Sequence, residues 1–413
     1  RPMTRLEVQL YFQRFVALGD IGHARIDLPI SEFFKYLSQG GRILPLHIKI
    51  NDGEVVVDDV VGNGIDLQRN DRVVAINGQP IKDWLAEFRA LLSADSDELA
   101  ATLIESQLPF LVWLLVGDLA EYRVTVSRAE KSIELTVPAL TRVEQQAILA
   151  DTEEHVEPAP QRDAKILPNG VAYLRPGPFY NIQPDAVDVW DNRPFKQFID
   201  QAFAQFIEAD AQTLLIDLRN NPGGTNSFSD LMIAWFADQP FKFASDFVVK
   251  VSPHSVAANQ ERLEISDEPN DISLKLAEFY ASNESGERFS FALPTATPRK
   301  DGRFNGKVYI LINRYSYSNA VSVAAIAKDY GFATVIGEPT ADLATTFGGM
   351  ERFSLAHTDI SVGYPKALII RPNGDQTPGG VRPDIAIPLD TEQLFDDEAF
   401  LASALGMVSS NAH

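Results

Sequence analysis

The stretch that most constrains the fold is Lys307–Thr340, KVYILINRYSYSNAVSVAAIAKDYGFATVIGEPT. VYILIN is a short, almost wholly apolar run, as a strand covered on both faces requires. RYSYSN then offers hydroxyls and an amide where a helix should begin. AVSVAAIAKDY is small and apolar and closes on Gly331, where a helix C-cap favours glycine. ATVIG is a second buried strand, and a Pro-containing turn follows it. Strand, polar turn, buried helix and strand make one βαβ unit, so the chain contains a parallel sheet. Such a unit presents its serines at a helix N-terminus, where free N–H groups favour developing negative charge. Taken alone, Ser316 and Ser318 read as helix caps. A chemical role requires a base and an oxyanion site elsewhere.

LIDLRNNPGG, residues 215–224, supplies the second half of that requirement. A buried strand breaks at Asp217-Leu218-Arg219 into Asn220, Asn221, Pro222, Gly223 and Gly224, a turn able to expose successive N–H groups. Neighbouring strands of one parallel sheet place their C-terminal turns side by side, so Gly223-Gly224 and Ser318 can share a crevice.

Composition narrows the chemistry further. With 36 basic and 57 acidic residues the net charge is −21, which repels nucleic acid. No cysteine is present, so disulfides, thiol catalysis and cysteine-ligated zinc are out. The six histidines form no metal-binding pair, and neither a metal nor a cofactor is expected. At 413 residues two or three domains are expected. The longest apolar run, Leu108–Gly117, is about half the length a membrane span needs, so none is expected.

Read in order, residues 3–40 form a helical segment whose first helix ends at Gly19-Asp20. His23 follows in a Gly-rich turn, off any buried face. From residue 41 to 141 the texture is of short strands. Leu67, Asp71, Val73, Ile76, Asn77, Gly78 and Ile81 carry a pattern that resembles a PDZ module, with a helical insertion from Ser93 to Leu119 that could fill its peptide groove. Residues 142–165 read as a linker or exposed hairpin, and 166–413 as an α/β core. Within that core, Pro253 to Arg303 is a polar surface insertion.

DLRNNPGG, NRYSYSNAVSVAAIAKDYGFATVIGEPT and GVRPDI together resemble peptidase family S41, the tail-specific (C-terminal processing) and tricorn-like serine proteases. The resemblance implies a crotonase-like α/β core, an exported (periplasmic or extracellular) serine endopeptidase, and unfolded or C-terminal peptides as substrate. A homo-oligomer is left open. Carried over by motif, Ser318 is the nucleophile, Ser316 bonds the turn, and the N–H groups of Asn319 and of Gly223 or Gly224 hold the oxyanion. One branch of the family places a lysine base after G-E-x-T; here that position is Leu343, and GEPTADLATTFGG contains no lysine. The other branch uses a histidine in a turn after an N-terminal helix, which ALGDIGHARIDLP resembles, so His23 becomes the base. A third, orienting carboxylate is expected. Its family position is Thr377 here, leaving Asp375 and Glu338 as candidates. His357, expected in a strand pair near the core, is the reserve base; His47, His155, His254 and His413 have no motif context. The competing reading is a non-catalytic carrier of apolar ligands or peptides on the same scaffold, as in retinoid-binding repeats.

Overall fold

The computed structural model describes residues 2–151, 161–265, 271–387 and 396–410. Its contacts divide the chain into two compact units, Arg1–Ala159 with Arg352–Tyr364, and Pro160–Glu351 with Pro365–His413. Both mix helices with sheets.

In the first unit the helix Arg5–Ala17 begins at Thr4, whose side chain caps Glu7 N–H while Glu7 reaches back to Thr4 N–H. A short strand, Arg25–Ile26, and the helix Ile30–Ser38 follow. Leu46–Asn51, Glu54–Val60, Arg72–Ile76, Glu121–Arg128 and Lys131–Pro138 build an antiparallel sheet in chain order, with Gln79–Pro80 paired to Arg72–Ile76. Asn77 and Gly78 both take positive φ, 52° and 77°, as the tight turn between two strands demands.

The insertion after Ser93 is the 20-residue helix Asp97–Val116. By length and composition this helix could cross a membrane, contrary to the expectation that nothing here approaches a span. In sequence Thr102, Glu105, Ser106 and Gln107 interrupt the apolar run, and the helix joins its two parts. Half of its most apolar window is buried within its own unit, where Ile104, Leu108, Leu111 and Val112 pack with Leu46, Ile48 and Ile50. Buried Glu105 accepts a hydrogen bond from Ile50 N–H at 2.5 Å, so the helix covers the edge strand Leu46–Asn51 and satisfies one of its donors. The stretch expected to be linker begins as a helix, Arg142–Asp151, opened by a capping box between Thr141 and Glu144.

The second unit is organised by a six-stranded sheet in the order Asp163–Ile166, Ala172–Arg175, Thr213–Asp217, Lys307–Ile312, Thr334–Gly337 and Ile385–Ala386. All neighbours after the first pair run parallel. Every residue of Thr213–Asp217 is buried, as the continuous apolar run implies. The helix Arg193–Glu208 packs Phe195, Ile199, Ala202, Phe203 and Phe206 into the core, while Ile207, one step past that stripe, is 42% exposed. The helix Asn319–Tyr330 is buried along most of its length, its alanines admitting close contact with the sheet while Val321, Val323 and Ile326 fill the core. Gly331 ends it at φ 76°.

The polar insertion is more structured than its composition suggests. Pro253–Ile265 and Asp271–Ser282 are helices, and Arg288–Ser290 pairs with Asp246–Lys250. Leu276, Tyr280 and Phe291 close a small core with Phe247, Val249 and Ala367. Widely spaced apolar residues in a polar sequence conceal this smaller cluster.

Candidate active site

Two turns meet at the C-terminal edge of the parallel sheet. Asp217 pairs with Leu311, so residues 218–224 and 313–318 leave adjacent strands at the same level. Hydrogen bonds tie them together. Leu218 N–H donates to Leu311 O at 2.9 Å, and Tyr317 N–H to Asn221 O at 2.9 Å. Asn313 and Asn220 bond reciprocally: Asn220 N–H donates to Asn313 Oδ1 at 3.1 Å and Asn313 Nδ2 to Asn220 Oδ1 at 2.9 Å. The hydroxyl of fully buried Ser316 donates to Leu218 O at 2.8 Å and accepts from Asn313 N–H at 3.2 Å.

Ser318 occupies the N-cap position of the helix Asn319–Tyr330, yet its side chain makes no capping hydrogen bond. Its backbone lies at φ 53°, ψ −120°, a conformation that a non-glycine residue holds at a cost of about 1–3 kcal/mol. A serine on a sharp strand-to-helix turn is the geometry that lifts a nucleophile out of a sheet edge.

Gly223 is in direct contact with this turn. A Cβ there would lie 2.6 Å from Tyr317 O, 2.7 Å from Asn319 N and 2.8 Å from Ser318 Cβ, and its φ of 84° is itself unfavourable for other residues. At Gly224, φ 140°, a Cβ would meet Phe179 O at 2.2 Å. The two glycines thus serve close approach, one to the Ser318 turn and one to Phe179 in the segment beside it. Gly223 N–H is spent on Asn221 Oδ1 at 2.9 Å, and Gly223 O accepts from Phe179 N–H at 2.8 Å. Asn221 is in turn held by its Nδ2 on Gly177 O at 2.7 Å. Asn319 begins the helix and is buried, its Nδ2 donating to Ser229 Oγ at 3.0 Å.

The DLR portion of the motif is structural. Arg219 makes a two-pronged ion pair with Asp217, at 3.0 and 2.9 Å, and Tyr173 OH adds a hydrogen bond at 2.8 Å. Burial first, and then the neighbouring Asp217 charge, push the Tyr173 phenol upward.

Asp342 was missed in the sequence. It lies in the turn after GEPT, fully buried, and its Oδ2 accepts a hydrogen bond from Ser318 N–H at 2.6 Å. The only sequence signal is an acidic residue between apolar neighbours, ADLA.

The two carboxylates considered for the third role each already accept a hydrogen bond from another partner. Glu338 accepts from Arg314 Nε at 2.6 Å and from Arg314 N–H at 3.1 Å. Asp375 is exposed and accepts from Thr377 N–H at 2.9 Å; that bond holds its carboxyl below the usual range.

His23 belongs to the first unit and is 8% exposed, a correction to the expectation of a turn off any buried face. The reason is tertiary. Gln13, on the preceding helix, accepts from Ile26 N–H at 2.7 Å and donates to Leu91 O at 2.8 Å, while Asp95 accepts from Gly22 N–H at 2.9 Å. These bonds press the turn against residues 91–95. Burial, with Arg25 adding to it, lowers the imidazole to about 4, so it is neutral at neutral pH. His357 sits exposed in a turn rather than in a strand, and His47 and His254 are exposed too. His155 and His413 lie outside the described residues.

Residues 185–387, which span both turns, match the sequence model of peptidase family S41. The chain carries an S41 peptidase domain. Its enzyme class is therefore that of a serine-type peptidase, a hydrolase. His23 lies outside the matched S41 residues. Among solved structures, mature CPAF is similar at 13% identity, over 99% of this chain and 89% of that chain, with a TM-score of 0.66. CPAF complexed with lactacystin is similar at 14% identity over 98% and 90%, with a TM-score of 0.65. The photosystem II D1 C-terminal processing protease gives 17% identity over 96% and 89%, with a TM-score of 0.45. At these identities the likeness to CPAF is one of fold. No curated protein matches the chain.

Proposed function

We propose that the S41 domain hydrolyses peptide bonds through a serine acyl-enzyme. Ser318 attacks the scissile carbonyl, and His23 takes its proton and returns it to the leaving amine. The resulting oxyanion is held by the N–H groups of Asn319 and Gly224, and Gly223 contributes close approach rather than a donor. The observation that carries this reading is the close contact of Gly223 with the strained Ser318 turn, whose serine makes no capping bond.

The support for His23 is its sequence context, a histidine in a turn after the N-terminal helix. Glu338 and Asp375 stay the candidates for the orienting role; each already accepts a hydrogen bond from another partner, and a carboxylate has acceptor sites for more. The finer architecture belongs to the same proposal: a crotonase-like core from residue 166, a PDZ-like module over 41–141 whose edge is covered by its own helix, and export as the setting for unfolded or C-terminal peptide substrates.

The test is hydrolysis of an unfolded protein substrate by wild type and by Ser318→Ala, Ser316→Ala and His23→Ala. The proposal expects loss of turnover in the Ser318 and His23 variants and retention in Ser316→Ala. Undiminished turnover in Ser318→Ala would refute it.

A further inference from the structure

We infer that Asp342 is a positioning residue for the reaction proposed above, fixing the nucleophile's backbone and determining which amides face the oxyanion. The inference rests on that reading of Ser318.

Asp342 is held from several sides. Oδ1 accepts from Leu343 N–H at 3.0 Å while Oδ2 takes Ser318 N–H at 2.6 Å. Its carbonyl accepts from Thr340 Oγ1 at 2.9 Å, and the same hydroxyl accepts from Val381 N–H at 2.9 Å. Thr340 N–H donates to Val381 O, and Ala341 N–H to Arg314 O, at 3.2 and 3.3 Å. A Cβ at Gly380 would lie 1.8 Å from Thr340 O, so the GVRPD segment meets this turn backbone to backbone. The carboxylate therefore stands on a platform built from the 313–318 turn, the 338–343 turn and residues 380–381.

Two consequences follow from where its second oxygen points. The bond lands on the amide of a residue whose φ of 53° is unfavourable for serine, and a carboxylate acceptor makes that bond stronger than a neutral one would be. It also occupies the Ser318 N–H, which a nucleophile's own amide could otherwise turn toward the oxyanion. With Gly223 N–H on Asn221, the backbone donors remaining beside the two turns, among the described residues, are those of Asn319 and Gly224.

The test compares Asp342→Ala and Asp342→Asn with Asp71→Asn, a buried carboxylate of the first unit paired to Arg128. Asp342→Ala is expected to lower kcat by about 100-fold with KM within about threefold, the loss typical of a disturbed oxyanion geometry. Asp342→Asn, whose amide oxygen can still accept Ser318 N–H but more weakly than a carboxylate, should recover about tenfold of that loss and stay about tenfold below wild type, and Asp71→Asn should leave kcat unchanged. A folded Asp342→Ala enzyme with wild-type kcat, or with a defect in KM alone, overturns the inference. If Asp342→Ala does not fold, Asp342→Asn carries the test: an Asn variant no more impaired than Asp71→Asn overturns it. Hydrogen exchange at the Ser318 amide reads the same bond without activity. Exchange at least about tenfold faster in Asp342→Asn supports the positioning role even if wild type proves inactive, and unchanged exchange contradicts it.

Discussion

Replacing Gly223 by alanine separates backbone strain from steric intrusion at the proposed oxyanion site. The substitution has two costs. Holding alanine at φ 84° costs about 1–2 kcal/mol, the usual penalty of the left-handed region. The added Cβ would also stand 2.6 Å from Tyr317 O, 2.7 Å from Asn319 N and 2.8 Å from Ser318 Cβ, none of them the end of a flexible side chain. Forcing such contacts apart costs roughly 1–3 kcal/mol by overpacking. Gly331→Ala is the matched control, since its φ of 76° is similar and nothing lies within 4 Å of the added carbon. Urea unfolding should therefore show Gly331→Ala destabilised by about 1–2 kcal/mol and Gly223→Ala by roughly 2–5 kcal/mol. Under native conditions kcat should fall by ~100-fold or more in Gly223→Ala alone, because the displaced atoms are Asn319 N and Ser318 Cβ. Equal destabilisation of the two variants, or full activity in Gly223→Ala, would refute the claim that the turns meet at the catalytic centre.

Three further outcomes are expected. Because His23 is lowered to about 4 in the fold against 6.5 in the unfolded chain, the unfolded state binds the extra proton first, and stability falls as pH drops from 6.5 through 4 by up to roughly 3 kcal/mol; His23→Gln should remove that dependence in denaturant titrations at pH 7 and 4.5. Burial raises the Asp230 carboxyl to about 6 against the hydrogen bond from Asn226, so stability falls as pH rises from 3.8 through 6; Asp230→Asn should be more stable than wild type by roughly 1–3 kcal/mol at pH 8 and no more stable at pH 3, measured by thermal unfolding. Ser316→Ala breaks the hydroxyl link to Leu218 O and should cost about 1–2 kcal/mol in denaturant unfolding while acylation at Ser318 continues.

What was legible in the sequence follows physical range. DLRNNPGG and RYSYSN announce themselves because each is a buried strand ending in a turn, and parallel pairing of the two strands places the turns together without further information. Ser318 was separable from Ser316 by motif, and the structure gives Ser316 hydroxyl bonds across the two turns. Contacts made at long range were not legible. Burial of His23 depends on Gln13 and Asp95, the latter more than seventy residues away in a helical insertion. Asp342 meets Ser318 only after the strand following the helix has returned to the sheet, and nothing in ADLA marks which amide its carboxylate will find. The spent N–H of Gly223 is set by an asparagine rotamer, beyond the reach of a motif. The helices Pro253–Ile265 and Asp271–Ser282 were hidden because they bury few residues each.

The central claim is that Ser318 is an activated nucleophile, and covalent labelling with a fluorophosphonate followed by peptide mapping tests it most directly. The account predicts one phosphonyl adduct, on Ser318, absent from Ser318→Ala, retained in Ser316→Ala and slowed in His23→Ala. An adduct on another serine, or one that survives in Ser318→Ala, would contradict it.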